Sequence, residues 1–212
     1  MSDDLVFYTH PQSRGRIVRW MLEEIGRPYR TELLEFGGMK APAYRAVNPM
    51  GKVPALQHGD TVVTETAAIC AYLADAFPDS ALAPPIGDRL RGPYYRWLFF
   101  GAGPIEAAAS NHALGLTIPP GREAMIGYGT YDTAMQVLEA AVSRGDYLVG
   151  EHFTAADLYL GSHIGFGMQF GTIEKRPALE RYWSRLNSRP AKQRADQIDD
   201  ALVARQPSQQ QR

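Results

Sequence analysis

The chain reads as a two-part protein, a small mixed α/β domain followed by an all-helical one. Three observations carry this reading. Apolar segments of strand length and of helix length alternate through the first third of the sequence. A proline-rich stretch around Pro84-Pro85 and Gly87 then interrupts the pattern. Beyond Arg89 no segment has convincing strand character, and apolar residues recur at helical spacing instead.

Taken in order, Leu5 to Tyr8 is a short apolar strand, followed by a loop containing Pro11. From Ser13 the pattern turns helical, with Ile17, Val18, Met21, Leu22 and Ile25 on one face, and Gly26 and Pro28 end it. Tyr29 to Leu34 can form a second strand and Ala41 to Val47 a short helix. Pro54 to Gln57 and Thr61 to Thr64 flank a Gly59-Asp60 turn, a hairpin signal. Glu65 to Phe77 is a second good helix, stopped by Pro78. A strand, crossover helix and strand imply a parallel pair, and the hairpin adds an antiparallel one. The expected order is therefore βαβαββα around a mixed four-stranded sheet.

The boundaries that follow are a first domain over 1–80, a linker over 81–88, a helical domain over 89–205 and a polar, disordered tail over 206–212. In the helical part, Arg89 to Ala109 and Glu123 to Ser143 read as long helices and Thr154 to Phe170 as a buried one. Ala178 to Asn187 and Ala191 to Ala204 read as shorter, amphipathic helices. Thr154-Ala-Ala-Asp157 is a capping box with Asp in the acidic position.

Composition narrows the function classes. With 212 residues, 45% of them hydrophobic, the chain can bury a real core. A net charge of −1 offers no field to recruit nucleic acid or an anionic membrane. No apolar run reaches the ~18–20 residues of a membrane span. The acidic start, Met1-Ser2-Asp3-Asp4, lacks the basic-then-apolar pattern of a signal peptide. A cytoplasmic protein without nucleic-acid or membrane partners is expected. Cys70 is the single cysteine, and the five histidines show no metal-ligand spacing, so no metal is expected.

The stretch Asn48-Pro-Met-Gly-Lys-Val-Pro-Ala-Leu56 poses a problem, because Pro54 stands at the start of a strand and cannot donate to a ladder. A prolyl bond is the one peptide bond where cis is cheap. A cis bond between Val53 and Pro54 would turn the main chain of Val53 outward, where a peptide-like ligand could pair with it as an added strand. An ordinary edge strand that happens to begin with proline is the alternative.

Gly51-Lys52-Val53-Pro54-Ala55-Leu56 is followed by Thr64-Glu65-Thr66-Ala67-Ala68-Ile69 and then Tyr72-Leu73. This resembles the glutathione-binding half of the cytosolic glutathione S-transferases. The resemblance extends to Ser13-Arg14-Gly15-Arg16 with Arg19-Trp20, to Phe153-Thr154-Ala155-Ala156-Asp157 and to Arg189-Pro190-Ala191. Each motif alone is weak; together they run in order along nearly the whole chain. The resemblance implies a thioredoxin-like first domain carrying a glutathione site, an all-α second domain and a homodimer. It points to the bacterial type with a serine at the start of the first helix, and glutathione is then the co-substrate.

Glutathione offers two carboxylates, an amine and a thiol. Glu65 and Thr66 open a helix whose N-terminus favours a carboxylate, and by resemblance this pair takes the γ-glutamyl end; Thr66 stands where serine is usual. Val53 should bond the cysteinyl residue through its main chain beside Pro54, and Lys52 could approach the glycine carboxylate. Ser13 is the catalytic candidate. A free thiol ionises near 8.5, and lowering that by two units takes about 2.7 kcal/mol. A hydroxyl bond to the thiolate and a helix N-terminus could supply that order of stabilisation. An ordinary serine helix cap is the plainer reading of the same residue. Tyr8 is the alternative, His10 a third candidate, and Arg14 and Arg16 could steer the anion or merely be solvated. Cys70 reads as a buried small hydrophobe.

A pocket for a small hydrophobic electrophile is expected between Ser13 and the first long helix of the second domain, with Phe100, Glu106 and His112 as candidates. The expected function is glutathione transfer in detoxification. The alternative is a non-catalytic binding protein or stress-associated interaction protein on the same fold.

Overall fold

The computed structural model describes residues 4–205; the tail expected at 206–212 lies outside them. The chain divides into two compact units. The first takes residues up to Ala76 and again from Arg189 onward, and the second is Phe77–Ser188.

The first unit contains β1 (Leu5–Thr9), α1 (Gly15–Ile25), β2 (Arg30–Leu33), α2 (Pro42–Arg45), β3 (Ala55–His58), β4 (Thr61–Thr64) and α3 (Thr66–Ala76). The sheet order is β2-β1-β3-β4. β1 and β2 are parallel, with Thr9 opposite Leu33. The β1–β3 and β3–β4 pairs are antiparallel. This is the mixed, thioredoxin-like βαβαββα arrangement expected from the sequence.

The apolar periodicity explains it. Leu5, Val6 and Phe7 on β1, Ile17, Val18, Trp20, Met21 and Leu22 on α1, and Ile69, Cys70 and Leu73 on α3 are all buried. Each fully buried large side chain contributes roughly 1.5–3 kcal/mol. Gly26 ends α1 in a left-handed conformation, φ 69°, donating its N–H to the Leu22 carbonyl.

The last helix, α9 (Pro190–Arg205), departs from the expected boundaries. It was placed in a helical domain over 89–205, yet it packs on α1. Arg19 donates to Asp199 at 2.7 Å, and Arg189 meets Glu24 through two bonds of 2.6 and 2.9 Å. Amphipathic periodicity announces a helix but does not name the surface it covers, so the sequence left this assignment open to error.

The second unit is helical throughout among the described residues, with α4 (Arg91–Phe100), α5 (Glu106–Ala113), α6 (Tyr131–Val142), α7 (Ala155–Phe170) and α8 (Pro177–Asn187). The single helix expected over Arg89 to Ala109 is instead α4 and α5 joined by a π-helical turn at Gly101–Ile105. Pro104 lies inside that turn and has no N–H for an ordinary ladder. Gly101 sits where a Cβ would come within 2.9 Å of the Tyr159 ring. The helix expected from Glu123 begins only at Tyr131, where Thr130 caps it by accepting the Thr133 N–H.

The capping box at α7 is present. Asp157 is fully buried and accepts bonds from the Leu148 and Thr154 N–H groups and from the Tyr182 hydroxyl. Burial pushes its carboxyl above the usual range, and these donors pull it back.

Candidate active site

The strand register brings three segments to one end of the sheet. Tyr8 pairs with Ala55, and Ala55 pairs with Thr64. The loop carrying Ser13 leaves β1 just past this row. Val53 and Pro54 enter β3 just before it, and Glu65 and Thr66 follow β4 just after it. Adjacent strands lie about 4.8 Å apart, so the row spans about 10 Å. Three extended residues reach about the same length.

Ser13 sits in a tight loop ahead of α1. Its hydroxyl donates to the His10 carbonyl at 2.7 Å and accepts the Gly15 N–H at 3.0 Å. It thus serves the helix start, although the first helical residue is Gly15 and Arg14 is the formal cap. Gly15 is required by space: a Cβ there would fall 1.9 Å from Thr9 Oγ1 and 3.0 Å from Ser13 Oγ. Arg16 is engaged, with Nε donating to the Pro11 carbonyl and Nη2 to Asp200, both at 2.6 Å.

Around Val53 the Val53–Pro54 peptide is cis. Val53 lies outside β3, and among the described residues its N–H and C=O enter no ladder or turn bond. The preceding carbonyl, that of Lys52, is held by the Tyr44 hydroxyl and by Asn48 Nδ2, each at 2.7 Å. Burial pushes the Tyr44 hydroxyl up to about 12, so it stays a donor at neutral pH. Gly51 has φ 58°, and a Cβ there would lie 2.6 Å from the Met39 carbonyl. Tyr44 and Asn48 were not singled out in the sequence; an Asn four residues before the Lys was the only signal. The Lys52 side chain is exposed.

Glu65 has φ 66°, a left-handed conformation that costs a non-glycine residue about 1–2 kcal/mol. Its carbonyl accepts the Ile69 N–H, so it caps α3. Its side chain is exposed, while Thr66 is buried.

The Tyr8 hydroxyl donates to Gln57 Oε1 at 3.1 Å. Gln57 pairs with Val6, and the Tyr8 ring lies 5.8 Å from that of Tyr44, on the same cluster that Val53 packs against. His10 is buried, with its ring 4.1 Å from that of Phe36 and its Nδ1 accepting the Gln12 N–H. Burial lowers its pKa against the pull of Glu35. Cys70 is fully buried and its thiol is pushed up by burial. Among the described residues no cluster of His, Cys, Asp or Glu is placed to hold a metal ion, and no helix is long and apolar enough to cross a membrane.

From Phe100 to His112 the helix advances about 18 Å. The Phe100 ring packs edge-on against Trp97 at 5.6 Å, and His112 stacks on Tyr131 at 4.1 Å.

A model of the glutathione S-transferase N-terminal domain matches residues 13–76, and one of the C-terminal domain matches residues 116–190. Glutathione S-transferase F9 of Arabidopsis thaliana is 31% identical over 73% of this chain and 78% of its own length. The chain belongs to the glutathione S-transferase family.

The glutathione transferase URE2P6 of Phanerochaete chrysosporium, solved in complex with oxidized glutathione, has a TM-score of 0.78 at 26% identity, over 94% of this chain and 98% of that one. Elongation factor 1-gamma of Prunus avium is 30% identical over 71% of this chain but only 37% of its own length. The expectation of a glutathione S-transferase enzyme with a thioredoxin-like and a helical domain is met. α9 begins at Pro190, where the second domain match ends.

Proposed function

We propose that this glutathione S-transferase binds glutathione along the sheet end formed by the Ser13 loop, Val53-Pro54 and Glu65-Thr66, and presents its thiolate to small hydrophobic electrophiles. The observation that carries the reading is the shared row Tyr8–Ala55–Thr64, which brings these three segments together. Val53 offers an N–H and a C=O with no ladder partner, suited to the cysteinyl residue. Glu65 and Thr66 stand at the N-terminus of α3, suited to the γ-glutamyl end. Lys52 has an exposed side chain within reach of the glycine carboxylate.

Ser13 is the group assigned to the thiolate, as in a serine-type transferase, with Tyr8 as the alternative. Donation to sulfur requires the Ser13 proton to leave the His10 carbonyl. A neutral bond contributes about 0.5–1.5 kcal/mol and one to an ion about 1.5–3. The net gain is therefore about 1 kcal/mol, to which the N-terminus of α1 adds about 0.3–1. One pKa unit corresponds to 1.36 kcal/mol, so this loop supplies a shift of about one unit. A cytoplasmic homodimer in detoxification belongs to the same proposal and rests on the family.

The similarity to elongation factor 1-gamma favours a second reading, a binding module on this fold. Retention on immobilised glutathione together with turnover of a chlorodinitrobenzene electrophile supports the enzyme. Retention without turnover supports the module, and loss of both overturns the site.

A further inference from the structure

The loop that carries Ser13 is tied to the last helix by one arginine. Arg16 Nε donates to the Pro11 carbonyl, and Arg16 Nη2 donates to Asp200 Oδ1, each at 2.6 Å. Asp196 Oδ1 lies 3.9 Å from Arg16 Nη1. The carbonyl held by Arg16 belongs to the residue next to His10, whose own carbonyl receives the Ser13 hydroxyl and the Ser13 N–H. A displacement of Pro11 is therefore passed directly to the acceptor that orients Ser13 Oγ.

We infer that Asp200, acting through Arg16, is a positioning residue for thiol activation: it fixes the Pro11–Ser13 loop so that Ser13 Oγ faces the sulfur of bound glutathione. The inference rests on the proposed role of Ser13. It adds a part of the chain, α9, that lies beyond the matched domains. The carboxylate orients the guanidinium, and the planar guanidinium holds two acceptors at once, one on the helix and one on the loop. A lysine has the charge but not the fixed fork, so it cannot hold both in the same geometry. The Asp200 side chain is 67% exposed, so the pair contributes little to global stability. Its effect is local, on where the loop sits.

The readout is the apparent pKa of the thiol of bound glutathione, followed by thiolate absorbance across pH, with kcat and KM from the same enzyme. Asp200→Asn is expected to raise that pKa by about half a unit, a threefold loss of thiolate below the pKa, with kcat falling more than glutathione KM rises. Thermal stability stays near that of the parent enzyme. Arg16→Lys moves the pKa in the same direction, and Asp200→Glu restores part of it. In Ser13→Ala the pKa rises, and adding Asp200→Asn to it produces no further rise, because the aspartate acts through the serine. If Ser13→Ala raises the pKa and Asp200→Asn does not, the positioning role is overturned while the Ser13 reading stands. Additive shifts in the double variant also overturn it. If Ser13→Ala itself leaves the pKa unchanged, the Ser13 reading fails and the positioning role falls with it.

Discussion

The Ser13 hydroxyl donates to the His10 carbonyl at 2.7 Å, so the proton that would stabilise a thiolate is already engaged. This relationship limits how far the loop can activate glutathione. Ser13→Ala should raise the apparent pKa of the bound thiol by about 0.7 unit, lowering kcat/KM about fivefold below that pKa. Above it, where the thiol ionises unaided, the two enzymes should converge. The variant also loses the acceptor of the Gly15 N–H and with it about 1 kcal/mol of capping stability. A pH–rate profile separates the two effects, since lost stability alone does not move a pKa.

Gly15 makes a sharper test of the loop. A Cβ at 1.9 Å from Thr9 Oγ1 forces either the loop or Thr9 to move. Gly15→Ala should lower kcat/KM more than tenfold by displacing Ser13, and overpacking of this kind costs typically 1–3 kcal/mol of stability. Adding Thr9→Ala removes the Oγ1 but leaves Thr9 Cβ at 3.1 Å, so partial recovery of activity and of the urea midpoint is expected. Absence of any recovery would place the damage elsewhere.

Several parts of the candidate site were legible in the sequence as elements because they are local signals. Pro54 at a strand start, Glu65-Thr66 at a helix start and Ser13 ahead of an apolar helical face each follow from residue type and spacing. Register brings them to one row; the family resemblance is what suggested a glutathione role for them. Other features were not legible, since they depend on what is packed against what. Tyr44 and Asn48 hold the Lys52 carbonyl only because α2 folds over that turn. The π turn at Gly101–Ile105 carried a visible signal, Gly101, Gly103 and Pro104, which the helical periodicity on either side masks. α9 looks like any amphipathic helix until Arg19, Glu23 and Glu24 on α1 are seen to meet Asp199, Arg194 and Arg189.

Glu65 should separate folding from binding. Replacing a left-handed glutamate by glycine removes about 1–2 kcal/mol of backbone cost and adds back about 0.5–1 through the unfolded chain. Glu65→Gly should therefore be as stable as the parent or more so by about 0.5–1 kcal/mol, read from urea unfolding. Glutathione affinity should fall about tenfold or more, the size of one lost charge-assisted bond. Both quantities falling together would mean that Glu65 serves the fold and not the ligand.

The buried Arg19–Asp199 pair is the costliest link between α1 and α9. Both side chains are almost wholly buried, 2% and 1% exposed, with Nε and Oδ1 2.7 Å apart. Arg19 also reaches the Tyr29 hydroxyl and lies over the Phe7 ring at 5.2 Å. Among the described residues its Nη2, and Oδ2 of Asp199, have no hydrogen-bond partner, so the desolvation of both ions is only partly offset. Asp199→Ala should lose about 3–5 kcal/mol by leaving a buried guanidinium uncompensated. The double change Arg19→Met with Asp199→Leu should lose much less, or nothing. Burial raises the Asp199 carboxyl above its usual value against the pull of Arg19 and Arg16. The folded chain then binds this proton more tightly than the unfolded chain. Between the unfolded carboxyl value of about 3.9 and the raised folded one, stability contributed by this group falls as pH rises. That slope should be present in the parent and absent in the double variant, as measured by urea unfolding across the acid range. A double variant as unstable as Asp199→Ala would show that the pair supplies net stability that apolar contact cannot replace.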